Sequence, residues 1–333
     1  MRRLSLADVE TLAMDRLVAA GACETAAGSV ARSIRRAEAD EIRPVGLGYL
    51  PVYLSHLPTG KVDGHAVPEI SRTLPAVIRC DACNGFAHPA FDQALPSLLD
   101  AARHCGMASL AITRSYSAGV LGHWVEDIAD AGLLALAVTN APPSVAPWGG
   151  RVPMFGTNPI AFASPRRDAP PLVFDQATSV VAKVSVHAAL REGRRVPEGW
   201  GLDAAGQPTT DPAAILAGSM LPFGGVKGAM LSLMVDLLAA GLTGAKFSME
   251  APVYARVDGP PVGVGQFVIA IDPKAFDDGY LARIETLFAA MLAQDGVRLP
   301  GDRRLEARAR TAQDGILLDD DLFNRITMAG ARS

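Results

Sequence analysis

Short apolar runs alternate with helix-like segments from about residue 76 onward, and this alternation limits the folds open to the chain. The apolar runs have the length of ordinary strands, whereas the segments between them space their apolar residues three or four apart, as a half-buried helix does. Gly106 and Gly132 follow two of these segments directly, at the position where a left-handed residue ends a helix. The pattern predicts a mixed α/β fold.

The predicted elements can be placed on the sequence. Strands are predicted over residues 76–78, 107–113, 133–139, 159–163, 172–174 and 265–271. Helices are predicted over residues 89–105, 123–131, 228–242 and 280–294. Residues 228–242 are almost entirely apolar, so we expect this helix to be buried on all sides.

Residues 1–75 are predicted to form a helical layer. Ser5 and Asp8 have the spacing of a capping box, and apolar residues then recur at helical spacing up to Gly21. A second helix is predicted over residues 24–39, and a short one around Tyr53. We therefore expect a helical region (1–75), an α/β region (76–300) and a C-terminal segment (301–333) that packs on the rest.

Charge and cysteine content narrow the class of function. The 31 basic and 35 acidic residues give a net charge of -4, which offers no attraction to nucleic acid or an anionic membrane. No apolar run has the length of a signal peptide or a membrane span. Cys80 and Cys83 form the one CxxC pair, without the second pair or the histidine spacing of a zinc site. We expect a cytoplasmic protein that acts on a small molecule and holds no metal.

Two familiar nucleotide motifs are absent from the sequence. The glycine clusters at residues 46–48 and 263–265 lack the third glycine of the Rossmann fingerprint. The segment GGVKG at residues 224–228 has neither the spacing nor the hydroxyl residue of a phosphate-binding loop. Any dinucleotide site would therefore be of another type.

A series of longer segments identifies a family. They read DACNGFAHPA (81–90), FGTNPIAF (155–162), VFDQATS (173–179), PEGW (197–200), TTDP (209–212), LPFGGVKG (221–228) and PGDRR (300–304). In this order they resemble the malate/L-lactate dehydrogenase family over about residues 5–325. Their residues are most similar to those of the Δ1-piperideine-2-carboxylate/Δ1-pyrroline-2-carboxylate reductases of that family.

The resemblance implies a non-Rossmann dinucleotide fold of the sulfolactate dehydrogenase type, a homodimer, and hydride transfer between NAD(P)H and a small 2-oxo or 2-imino acid. It assigns residues 76–300 to cofactor binding and Thr157 to the substrate. NADPH is the predicted cofactor, with NADH as the alternative, since an arginine pair suits a 2′-phosphate. The residues that match the family's cofactor segments are Ser117, Ala118, Gly119, Val120, Leu121, Asp175, Gln176, Ala177, Val226, Lys227, Pro300, Gly301, Arg303 and Arg304.

The sequence departs from the family at its acid–base residues. The family pattern Ser-His-Gly-Leu-x-Arg is replaced by residues 44–49, which read PVGLGY. Pro44 stands for the serine, Val45 for the proton-donating histidine and Tyr49 for the arginine that grips the substrate carboxylate. Ser185 stands where the resemblance places the relay's aspartate. Within the cofactor segments, Val226 replaces a histidine, and Tyr116-Ser117-Ala118 stands where the family usually has a His-His or His-Phe pair.

These losses favour a substrate that needs no proton donor. A ketone acquires negative charge on oxygen during reduction and benefits from a positioned acid, whereas an iminium ion is already protonated. We predict a reductase of a cyclic imine, iminium or imino acid, with Tyr49 and His88 as the candidate catalytic residues and Val45, Tyr49 and Thr157 facing the substrate. The alternatives are a 2-oxo-acid/2-hydroxy-acid dehydrogenase with a relocated acid, and a silent dinucleotide-binding protein.

Overall fold

A seven-stranded sheet forms the centre of the computed structural model, which describes residues 1–328. The order of its strands is β2-β3-β4-β11-β5-β6-β7. The strands are β2 (Glu69–Leu74), β3 (Val77–Asp81), β4 (Met107–Ser115), β5 (Leu134–Thr139), β6 (Ile160–Ser164), β7 (Leu172–Gln176) and β11 (Val264–Ile271). The six strands predicted from the apolar runs are all present, and β2 was not predicted.

The sheet is mostly antiparallel. Only β3 and β4 pair in parallel, through the crossover helix α4 (Ala87–Cys105), and the other neighbours pair antiparallel. Two helices, α4 and α5 (Leu121–Asp130), cover one face, where Phe91 and Trp124 stack with ring centroids 4.3 Å apart. A doubly wound Rossmann sheet is built from repeated parallel crossovers, whereas this sheet has a single one. The fold is therefore of a non-Rossmann type, as predicted.

The N-terminal helices form a layer beside this sheet. They are α1 (Leu6–Ala19), α2 (Glu24–Ala39) and α3 (Leu50–His56), and the predicted capping box is present, since the Ser5 hydroxyl accepts a hydrogen bond from the Asp8 backbone N–H. β1 (Arg2–Leu4) pairs with β12 (Ile316–Leu318), which brings the C-terminal segment onto this layer. The predicted helical region is interrupted at its end, because β2 belongs to the main sheet.

The remaining elements are short or peripheral. A three-stranded sheet orders β10 (Ser219–Met220), β8 (Gly201–Leu202) and β9 (Pro208–Thr209), and it packs with α6 (Lys183–Arg191) and α7 (Pro212–Ala217). The other helices are α8 (Val226–Asp236), α9 (Tyr280–Leu292), α10 (Asp302–Asp314) and α11 (Asp320–Met328). No helix within residues 1–328 is long and apolar enough to cross a membrane.

The prediction that residues 228–242 are buried on all sides is wrong. One face of α8 packs inward through Ala229, Ser232 and Val235, and its opposite face leaves large apolar side chains in solvent. Met230 is 52% exposed and Leu237, in the irregular turn that follows the helix, is 54% exposed. An all-apolar composition does not tell whether the second face is covered by the same chain or by another one.

Candidate functional site

Two of the predicted cofactor segments meet at the end of β7. The carboxylate of Asp175 accepts a hydrogen bond of 2.8 Å from the backbone N–H of Gly122, the second residue of α5. The loop of residues 117–121 leads directly into this helix, so Asp175 caps the helix N-terminus next to that loop. Burial raises the pKa of Asp175, and the hydrogen bond from Gly122 and the charge of Arg304 oppose that rise.

A third predicted segment lies against the same strand. Gly301 has φ of +97°, and a Cβ atom there would lie 3.1 Å from the Val173 carbonyl oxygen, so a glycine is needed for this approach. Arg304 donates to the same carbonyl at 3.4 Å. Segments 117–121, 175–177 and 300–304 are therefore contiguous, although they are far apart in sequence.

The two arginines of this third segment occupy different environments. Arg303 is exposed at the start of α10. The Arg304 side chain is only 14% exposed and lies 3.8 Å from Asp40, and its buried Nη1 has no hydrogen-bond partner within residues 1–328. The resemblance assigned both arginines to the cofactor in the same way, whereas only Arg303 has a solvent-exposed guanidinium.

The fourth predicted segment joins the others through Thr178. The Phe223 backbone N–H donates to the Thr178 carbonyl at 3.0 Å, and the Ser232 hydroxyl donates to the Thr178 hydroxyl at 2.8 Å. Val226 and Lys227 are exposed at the first turn of α8, one step beyond these contacts. Gln176 is exposed and Ala177 half-buried in the chain that leads to Thr178.

The loop of residues 117–121 offers mainly its backbone to a ligand. Ala118, Val120 and Leu121 are buried, while Ser117 and Gly119 are half-buried. Gly119 has φ of +64°, and a Cβ atom there would lie 2.7 Å from Nε2 of His88. A larger residue is excluded at this point of the loop, which keeps the backbone open to a close approach.

His88 lies beneath this loop and away from Thr157. It is 4% exposed, both ring nitrogens lack a partner within the described part of the chain, and burial lowers its pKa to about 4. It lines a cavity of about 690 Å³ between α2, α4 and α5. The arginines of that cavity are already paired; Arg32 binds Asp92, and Arg36 binds Glu126 and Asp127.

A second cavity brings Tyr49 and Thr157 together. Its volume is about 380 Å³, and Val52, Ala141, Pro142 and Val253 supply apolar walls. Val45 lies one turn before Tyr49 but is not among the residues that line this cavity. The structure thus joins two of the three predicted substrate residues.

Tyr49 belongs to an aromatic cluster behind this cavity. Its ring packs edge-on against Tyr53 at 5.0 Å and Tyr254 at 6.3 Å between centroids. The Tyr254 hydroxyl donates to the Tyr116 carbonyl at 2.7 Å, and the Tyr116 hydroxyl bonds Nδ1 of His56. Burial raises the pKa of Tyr49 well above its ordinary value, so its hydroxyl keeps its proton at neutral pH.

Three polar residues of the cavity were not predicted from the sequence. Lys183 and His187 come from α6, and the Lys183 ammonium donates to the Ser144 hydroxyl at 3.0 Å. Lys183 and His187 are four residues apart, the spacing that places two side chains on one face of a helix. This spacing was the available signal, but the helix itself was not predicted.

The cavity is cationic. Among residues 1–328, none that lines it is acidic, and burial together with the charges of Lys183 and Arg191 lowers the pKa of His187. His187 is therefore neutral at neutral pH and is not held as an imidazolium by a carboxylate. The Ser185 side chain on the same helix offers no such carboxylate either.

The chain is similar to known oxidoreductases over nearly its whole length. The sequence model described as malate/L-lactate dehydrogenase matches residues 4–327. The chain is 48% identical to a (2R)-3-sulfolactate dehydrogenase (NADP(+)) of Chromohalobacter salexigens, covering 91% of each chain. It is 45% identical to a Δ1-pyrroline-2-carboxylate reductase of Ancylobacter novellus, covering 99% of this chain and 98% of that one.

A solved structure is similar to the fold described above. The Δ1-piperideine-2-carboxylate reductase from Pseudomonas syringae superposes with a TM-score of 0.94 at 41% identity, covering 99% of this chain and 100% of that one.

Proposed function

This chain belongs to the malate/L-lactate dehydrogenase family and is an NADPH-dependent oxidoreductase, and we propose that it reduces a cyclic imino acid. The observation that carries the proposal is the cavity that joins Tyr49 and Thr157, whose one imidazole is neutral and whose lining holds no carboxylate. An iminium substrate needs no proton as the hydride arrives, so its reduction does not depend on the proton-donating histidine that Val45 replaces.

The residues that match the family's cofactor segments fit a dinucleotide. Segments 117–121, 175–177 and 300–304 are contiguous, and Val226 and Lys227 stand exposed at a helix N-terminus, where phosphate is favoured. The buried and unpartnered Nη1 of Arg304 and the exposed Arg303 supply positive charge on one side. Bound NADPH supplies a hydride.

The chain's own residues position the substrate. The Thr157 hydroxyl and the apolar walls of the cavity bind and orient a small ring, and the same walls exclude water. Tyr49 also lines the cavity, and its hydroxyl stays protonated at neutral pH, which makes it a hydrogen-bond donor for the substrate. Val45 and His88 do not line this cavity, and His88 lines the other one, between α2, α4 and α5.

A 2-oxo-acid dehydrogenase with a relocated acid is the second candidate, because His187 lines the cavity. The two functions differ in their need for a proton. We expect kcat/KM for Δ1-piperideine-2-carboxylate or Δ1-pyrroline-2-carboxylate to exceed that for pyruvate and 3-sulfopyruvate by at least tenfold. Faster turnover of a 2-oxo acid would contradict imine reduction, and loss of that turnover in His187→Gln would identify His187 as the acid.

We also propose that the protein is a cytoplasmic homodimer. Val226, Met230, Leu233, Met234 and Leu237 leave one apolar face in solvent, as interaction surfaces do, and a second copy would cover it. This face begins at Val226 and Lys227, so a dimer across it would place the cofactor segment next to the subunit boundary. The partner proposed for the enzyme is thus its own second copy, besides its small-molecule substrate.

A further inference from the structure

Lys183 is the positive charge of the substrate cavity, and it lacks a counter-ion. Its ammonium donates one hydrogen bond, to the Ser144 hydroxyl at 3.0 Å, and Ser144 in turn donates to the Pro142 carbonyl. No acidic side chain lies within 4 Å of Lys183 in the described part of the chain. Two of its three N–H donors are therefore unused by the protein.

An unpaired ammonium in a half-buried site is unusual. Other buried cations have their donors satisfied by the protein: Arg308 pairs with Asp40 and Glu126, and the buried Lys61 ammonium donates to the Val253 and Arg256 carbonyls. The surroundings of Lys183 are apolar or hydroxyl-bearing, and burial lowers its pKa. A charge withdrawn from water in this way is normally compensated by an anion.

We infer that Lys183 binds the carboxylate of the substrate. This rests on the proposed function, because it specifies the substrate class of the same cavity: a ring that carries a carboxylate next to the reacting carbon. The side chain enters from α6, on a different element from Tyr49, which occupies the position where a carboxylate-binding arginine was expected. The substrate carboxylate then lies next to α6. The Lys183 ammonium repels an iminium nitrogen, so the nitrogen of the ring faces away from Lys183.

Tyr49 stands where the family has the arginine that grips the substrate carboxylate, so this chain needs another cation for that group. With Lys183 in the cavity the requirement for a carboxylate is retained, since a mobile ammonium supplies charge without the bidentate geometry of a guanidinium.

The kinetic test compares two substrates and three variants. Lys183→Met removes the charge and keeps the length, Lys183→Arg keeps the charge, and Arg191→Met is the matched control for a charge lost from the same helix outside the cavity. For Δ1-piperideine-2-carboxylate we expect Lys183→Met to raise KM roughly 10- to 100-fold with kcat within threefold, as for a lost charge-assisted hydrogen bond. For uncharged Δ1-piperideine KM should not change, and Lys183→Arg should retain most of the affinity.

Two results would overturn the inference that Lys183 binds the substrate carboxylate, an interaction called the Lys183 anchor below. One is an unchanged KM for the carboxylate substrate in Lys183→Met. The other is an equal fall of kcat on both substrates with loss of the alkaline limb of the pH profile, which would make Lys183 a proton donor instead. Thermal unfolding and NADPH titration of each variant show that the fold and the cofactor site are intact.

A binding experiment can test this inference independently of the proposed function. Calorimetric titration with pyrrole-2-carboxylate and with pyrrole, neither of which can be reduced, needs no turnover. If the wild type reduces no imine but only Lys183→Met loses pyrrole-2-carboxylate, the proposed function fails and the anchor stands. If imines are reduced and Lys183→Met binds both probes like the wild type, the anchor fails and the function stands.

Discussion

The Asp175 carboxylate caps α5 by accepting a 2.8 Å hydrogen bond from the Gly122 backbone N–H, which ties the end of β7 to the loop of residues 117–121. Asp175→Ala would leave this N–H without an acceptor, at a cost of about 1–2 kcal/mol in the free energy of unfolding. Asp175→Asn keeps an acceptor oxygen in place and removes a carboxylate, whose pKa is raised by burial. We expect Asn to restore most of the stability lost in Ala, by urea denaturation. Equal losses in both variants would show that the charge, and not the cap, matters.

Arg303 is predicted to contact the 2′-phosphate of NADPH. Because its guanidinium is exposed, Arg303→Ala should leave folding intact and weaken NADPH roughly 10- to 100-fold while changing NADH little. Nicotinamide fluorescence measures both affinities. Arg325→Ala, an exposed arginine of α11, is the control. Equal losses of NADPH and NADH in Arg303→Ala would contradict a contact with the 2′-phosphate.

Restoring the histidine at position 45 should not create a 2-oxo-acid dehydrogenase. Val45→His would lack an orienting serine at Pro44 and a carboxylate at Ser185, and grouped catalytic residues act as a unit. We expect kcat/KM for pyruvate to change less than threefold in the single variant. The quadruple variant Pro44→Ser, Val45→His, Tyr49→Arg, Ser185→Asp should do better than any single change. Full activity from Val45→His alone would refute this.

The exposed face of α8 should be the dimer interface. We expect the wild type to scatter light as twice the mass of one chain, and Leu237→Glu, which places a charge on this face, to shift it toward the monomer. Leu287→Glu changes an equally exposed leucine on α9 and should leave the dimer intact. A monomeric wild type would remove the proposed partner for this face.

Arg308 is a residue of α10, and it connects this helix to Asp40, which follows α2, and to Glu126 of α5. It donates to Asp40 and Glu126, and His123 also bonds Asp40. Burial raises the pKa of Asp40, but the hydrogen bonds from His123 and Arg308 outweigh it and bring the pKa below its ordinary value. The stabilisation is therefore present above the ordinary carboxyl pKa and is lost as pH falls through the lowered one.

Arg308→Ala should accordingly cost roughly 2–3 kcal/mol in the free energy of unfolding at pH 7, because Asp40 and Glu126 lose their charge-assisted hydrogen bonds from Arg308 and keep only His123, Arg36 and the more distant Arg304 as partners. The deficit should shrink as the pH approaches 4 and below, measured by urea denaturation across pH 3–7. Arg310→Ala breaks only an exposed pair with Glu41 and should cost less than about 1 kcal/mol. A deficit that does not vary with pH would show that Arg308 acts by packing alone.

Local patterns in the sequence were enough for much of the fold, whereas the cofactor segments were predicted from the resemblance to a family. Capping residues, helix-ending glycines and apolar periodicity depend on neighbours within a few positions, so α1, α2, α4 and the central strands follow from them. The strands β1, β8, β9, β10 and β12 are two or three residues long and exist only through their partners, which no local signal reveals.

The sequence by itself also determined that the acid–base residues of the family are replaced, since Pro44, Val45 and Tyr49 can be identified from an ordered series of motifs. The tertiary structure alone decided which polar side chains share a cavity with Tyr49 and Thr157. Lys183 and His187 line that cavity, and α6, which carries them, packs against Val145 and Phe155. The structure likewise separated Arg303 from Arg304 and opened one face of α8, because burial is set by the packing of whole elements and not by the residues next in sequence.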